Sequence, residues 1–257
     1  MATWHLSTMA IKISEHSIQP DAEQFALFFP CFRWPRRLIF RYVLKKRSII
    51  MKFEWRKKEK AIYLPPTKPV DIDIPGFKYF TINGSGNPNS SFFGECIEAS
   101  YTLSYTIRMS YKKGLQPKNF YEYTVYPLEG IWDISEKAKK SFDGTLDKNE
   151  LVFNLMIRQP NFVSHEFAAE AIEWAKKKNS SPLIDKLKFT EVSDGRCVQM
   201  MHLGSYDSEP ESFRRMEEFC SQNSLRRKTK QHKEIYISDP RKVAPEKLKT
   251  VLRFEVE

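Results

Sequence analysis

With 257 residues, 41% hydrophobic and 29% charged side chains, the chain has enough material for one large domain or two small ones and lacks the low hydrophobicity of a disordered polymer. Its 9 Gly and 15 Pro exclude a collagen-like or linker-like composition. The formal net charge of +10 would suit nucleic acid or an anionic membrane, but half of it lies in residues 1–50, where eight Lys/Arg face only Glu15, Asp21 and Glu23.

Seven of those eight cations fall in residues 33–47, interleaved with aromatic and aliphatic side chains. Such a stretch would suit a membrane surface, yet it is too charged to span a bilayer and too interrupted for a secretory signal. The preferred expectation is that residues 1–50 are a basic extension, either a flexible arm or sequence upstream of the true start, and that the folded protein begins at Met51. Cys31, Cys96, Cys197 and Cys220 stand far apart with no C-x-x-C pair, which argues for a reducing, cytoplasmic setting rather than a disulfide framework.

After a charged segment, Pro65, Pro66 and Pro69 predict an extended lead-in across the domain surface. Residues 77–82 predict a strand running into the loop Asn83-Gly84-Ser85-Gly86. Residues 90–111 predict a long helix, along which Phe93, Ile97, Tyr101, Tyr105 and Met109 recur every four residues as one apolar stripe. Strands follow over 120–132 and 151–158, then a capped helix over 164–178 with Phe167, Ala171 and Trp174 on one face. The order then repeats, with a strand over 196–203, a helix opened by the capping box Ser208-x-x-Glu211 and closed near Asn223, and strands over 233–238 and 250–256.

Two βαββ units, about 75–158 and 190–257, joined by a bridging helix at 162–180, make an α+β fold. Paired edge to edge, they form a curved antiparallel sheet with helices on one face and a central ligand cleft. In residues 233–238 alternation puts Ile235 and Ile237 on one face, expected under the helices, and Glu234 and Tyr236 on the other, facing the cleft. There Glu234 would bind positive charge or activate water as a general base; the plain alternative is a surface pairing with His232, Lys233 or Arg241. Tyr101, Tyr105, Tyr121, Tyr123, Trp132, Phe153 and Tyr206 are candidates to line the same space, because flat rings with polar edges suit planar or cationic ligands. No phosphate-cradle, nucleophile-elbow or metal-ligand spacing is present, so no cofactor or metal is expected.

The run His232-x-Glu234-Ile235-Tyr236-Ile237-Ser238-Asp239-Pro240-Arg241, followed by Pro245-Glu246-Lys247-Leu248-Lys249-Thr250, closely resembles the C-terminal signature of GyrI-like small-molecule-binding proteins. Pro75-Gly76-Phe77, the strand ending in Trp132 and Asn161-Phe162-Val163 extend the resemblance over residues 51–257. It implies the duplicated βαββ fold, shared with the ligand-binding half of multidrug-responsive transcription activators. It further implies an aromatic cleft with an acidic residue, matched here by Glu234, for bulky and often cationic xenobiotics. Some stand-alone members hydrolyse the cyclopropane of DNA-alkylating natural products; by that resemblance Glu234 is the candidate base and Trp132, Tyr101 and Tyr105 are candidate stackers. The alternative is a non-catalytic ligand sensor or a DNA gyrase inhibitor acting through a protein partner. No helix-turn-helix precedes the domain, which argues against direct transcription control and makes nucleic acid an unexpected partner; no membrane partner is expected either.

Overall fold

A computed structural model describes residues 52–257 apart from Phe142 and Ser180. The expectations for residues 1–50 fall outside the described residues. Eight antiparallel strands form one sheet in the order β1-β6-β8-β7-β3-β4-β2-β5. They are β1 (Val70–Ile74), β2 (Phe77–Ser85), β3 (Leu128–Ile134), β4 (Leu151–Arg158), β5 (Lys188–Val192), β6 (Gly195–Leu203), β7 (His232–Tyr236) and β8 (Lys249–Glu255). The helices are α1 (Trp55–Lys58), α2 (Lys60–Tyr63), α3 (Ser91–Met109), α4 (Glu136–Lys140), α5 (His165–Lys176) and α6 (Glu209–Gln222).

The two halves, β2-α3-β3-β4 and β6-α6-β7-β8, repeat the same order and join edge to edge where β3 pairs with β7. Strands β1 and β5 were absent from the sequence expectations, and each crosses to the other half: β1 pairs with β6, and β5 with β2. That crossing dictates the curvature. Strands β1 and β2 are six places apart in the sheet order, about 29 Å if the sheet were flat, yet only Pro75-Gly76 joins them, a link that spans about 11 Å at most. The sheet therefore curls until its ends approach.

Helix α3 begins at Ser90, whose hydroxyl accepts from the Phe93 amide, and its 3-10 extension stops at Gly114, where φ is 69°. The face it buries carries Cys96, Ala99, Ser100, Leu103, Ser104 and Ile107 rather than the aromatic stripe. Ser100 and Ser104 satisfy their hydroxyls on the carbonyls one turn back, which allows small polar residues to lie against β2 and β4. Helix α5, capped by Ser164, buries Phe167, Ala168, Ala171 and Ala175 and packs beside α3. Helix α6 lies on β6, with Met216 and Cys220 over Val198, Met200, Leu252 and Phe254. The capping box expected there is not formed: the Ser208 hydroxyl donates to Ser205 O instead, and Glu211 pairs with Arg214.

The proline segment is non-helical and exposes Pro66, Thr67 and Lys68, but the charged segment before it is helical and partly turned inward: α1 and α2 cover the sheet face opposite the large helices and bury Trp55 and Tyr63. Gln199 and Arg253 on that face donate to the carbonyls of Ala61 and Ile62, and Met201 N donates to Pro66 O. The strand expected over 120–132 starts only at Leu128. Pro117 and Pro127 bracket a segment whose tyrosines turn inward: Tyr123 bridges Phe53, and its ring meets Phe162 and Tyr126.

Candidate functional site

The sheet order leaves a gap at its centre. Helix α3 sits over β4 and β2, and α6 over β6, so β3 and β7 lie between them. The face of β3 and β7 between the two helices is the floor of a groove.

Register fixes what points into it. Glu234 pairs with Gly130 on β3 and Leu252 on β8, and Leu252 pairs with Met200. Met200 and Leu252 pack under α6, so Glu234 and Tyr236 share the helix-covered face while Ile235 lies on the other. The expectation that the isoleucines pack under the helices is thus reversed, since α1 and α2 supply apolar cover for the back of the strand. Glu234 still faces the groove, because the groove lies between the helices rather than on the bare side of the sheet.

Opposite Glu234, Gly130 contributes no side chain to the floor; a Cβ there would lie 2.9 Å from Trp132 Nε1 and 3.4 Å from Tyr236 Oη. That bare position lets Trp132 Nε1 donate to Tyr236 Oη at 2.8 Å. Burial, and then the charge of Glu234 beside it, pushes the Tyr236 hydroxyl well above its ordinary pKa. It therefore stays protonated beside the carboxylate. His232 Nε2 stands 3.1 Å from Glu234 Oε1, and its ring meets Phe213 of α6 edge-on at 4.8 Å. Tyr206 closes over Tyr236, ring centroids 6.1 Å apart and nearly perpendicular, and burial with nearby carboxylates pushes its hydroxyl up to about 12.

On the facing wall the α3 stripe lines the groove. Phe93 meets Trp132 at 5.6 Å, and Tyr101 lies 6.3 Å from Tyr105. Tyr101 is half-buried and Tyr105 is 53% exposed. Among the candidates, Glu234, Tyr236, Trp132 and Tyr206 therefore gather at the floor, with Tyr101 and Tyr105 along one wall. Tyr121 and Tyr123 do not join them: their rings pack against Phe53, Phe162 and Tyr126, where the lead-in needed apolar filling. Phe153 is buried beneath α3 and supports Trp132 from behind at 5.6 Å.

Sequence reasoning missed Glu209, the first residue of α6, whose buried carboxyl meets that of Glu234. Gly130 and Phe213 were missed too, and His232 entered only as a surface partner. Among the described residues no group of three or more His, Cys, Asp or Glu could hold a metal ion. No helix among them is long and apolar enough to cross a membrane.

None of the curated proteins matches the chain. Among solved structures, two hydrolases from Listeria innocua are 34% and 32% identical to it, each with a TM-score of 0.73 and covering 80% of this chain and 100% of theirs. An uncharacterized conserved protein from the same organism is 33% identical, with a TM-score of 0.71 and the same coverage. The model of the GyrI-like small molecule binding domain matches residues 68–257. With its twin βαββ halves and a carboxylate under an aromatic groove, the chain belongs to the GyrI-like small-molecule-binding family.

Proposed function

We propose that the chain binds a bulky aromatic or cationic xenobiotic in the groove between α3 and α6 and hydrolyses a strained cyclopropane ring in it, a detoxifying role in the cytoplasm. The observation that carries this reading is Glu234, 9% exposed on the groove floor beside Tyr236, whose hydroxyl accepts from Trp132. A carboxylate held among rings attracts a cation strongly because little water screens it, and the rings give a flat ligand faces to stack on. Glu234 then takes a proton from water as the water oxygen bonds to the ring carbon. The breaking carbon–carbon bond leaves its electron pair on a conjugated carbonyl, whose oxygen takes up, through solvent, the proton that Glu234 removed, so the carboxylate is restored. The hydrolases from Listeria innocua, about a third identical, favour turnover over binding alone.

The test is product analysis by mass spectrometry with a cyclopropane-containing DNA-alkylating compound. Glu234→Gln should lower turnover by about 10² to 10⁴-fold, while an uncharged cyclopropane compound stays bound by stacking on the rings. Binding without product in the unaltered protein would make it a sensor. Association with DNA gyrase that ignores Glu234→Gln would make it an inhibitor acting on a protein partner.

A further inference from the structure

Beside Glu234 a second carboxyl is buried with no basic partner among the described residues except through Glu234 itself. Glu209 is 7% exposed, its side chain meets that of Glu234, and its Oε1 is buried without a hydrogen-bond partner. The other charged group acting on it is Asp207. Strand β7 adds His232, which contacts Glu234, and Tyr236; the turn before α6 adds Tyr206. Helix α3 contributes Phe93, Ile97 and Tyr101, none of them charged at neutral pH, and Asp239 beyond β7 is already paired with Arg241. A helix N-terminus ordinarily favours an ionised carboxylate. Here burial first, and the charge of Glu234 second, outweigh it and push Glu209 up to about 10.

We infer that Glu209 and Glu234 hold one proton between them and that the groove exchanges this proton for a cationic ligand. The inference rests on the binding half of the function proposed above and is independent of hydrolysis. Two carboxylates in contact do not both ionise without a positive charge beside them. A ligand cation stacked on the groove rings supplies that charge, so Glu209 gives up its proton when the cation arrives. The sign of the linkage follows: a cation lowers the pKa of Glu209 in the complex, so affinity rises with pH between the bound and free values, by at most tenfold per pH unit for one proton.

The experiment is calorimetric titration of the full chain with ethidium, a planar aromatic monocation, at pH 7.5, 8.5 and 9.5 as about even steps, in pairs of buffers with different ionisation enthalpies. The expected result is affinity that climbs with pH, proton release read from the buffer difference, and loss of both in Glu209→Gln. Glutamine mimics the protonated acid, so this variant should keep the fold and bind ethidium with a flat pH dependence. Failure of ethidium to bind, affinity independent of pH, or an unchanged slope in Glu209→Gln would each overturn the exchange. Turnover of a cyclopropane compound without proton-linked binding would overturn the exchange and leave the hydrolytic reading standing.

Discussion

Strand β7 carries buried charge on both faces, and the two faces treat it differently. On the back, Lys233 bonds both oxygens of Asp194 at 2.6 and 2.8 Å and reaches Glu129 at 3.5 Å. Arg253 bonds Asp194, Gln199 and the Ile62 carbonyl. Tyr79 donates to Glu129 from one side, and Tyr63 lies 3.5 Å from its other oxygen. Every charge there meets its opposite, and α1 and α2 shut out water. On the front, Glu209 and Glu234 meet each other with only a histidine nearby. A closed, balanced network holds a structure together, whereas an unbalanced pair under a groove leaves a charge for something else to neutralise.

The strongest way to break this contrast is to strip the back face of its shared anion. Asp194→Ala leaves Lys233 and Arg253 buried without their main partner and should destabilise by about 3 to 5 kcal/mol, measured by urea unfolding. A loss below about 1 kcal/mol would show that the back network is as unbalanced as the front pair. Next in size, Gly130→Ala puts a methyl 2.9 Å from Trp132 Nε1; overpacking should cost about 1 to 3 kcal/mol and weaken ligand binding as Trp132 and Tyr236 are forced apart.

Acid and base sharpen the contrast further. The cations beside Asp194 outweigh its burial and hold its pKa below the usual range, so its contribution is present above the unfolded value of about 3.9 and is lost as pH falls below it. Glu209 is raised, so stability is lost as pH climbs from about 4.3 toward its folded value of about 10. Thermal denaturation across pH should therefore show Glu209→Gln removing the alkaline decline while leaving the acid limb in place. The smallest effect belongs to Tyr105→Ala on the groove wall: at 53% exposure it should change stability by no more than about 0.5 kcal/mol yet weaken binding of a planar cation by about 0.5 to 1 kcal/mol.

Much of the fold was legible because caps and alternation are local. Ser90 and Ser164, where two helices were expected to begin, are their N-caps, and the shared order of elements exposed the duplication. What stayed hidden depended on partners far along the chain. Alternation shows that Ile235 and Glu234 face opposite ways but not which face the helices cover, and here both faces are covered. The strand of Val70, Ile72 and Ile74 alternates cleanly, yet its partner β6 begins at Gly195. Glu209 has nothing local to mark it, since Glu234 is brought beside it only by the packing of α6 on the sheet.

The crossed strands β1 and β5 also govern how a guest can enter. Each half is tied to its twin at the central seam and again at the outer margins, like a strip of cloth stitched along both hems. Neither half would be self-sufficient if cut from the other, and the two cannot swing apart about a hinge. For the binding proposed above, admission would then fall to rotation of exposed rings such as Tyr105 and Tyr206, at 53% and 39% exposure, rather than to movement of the halves.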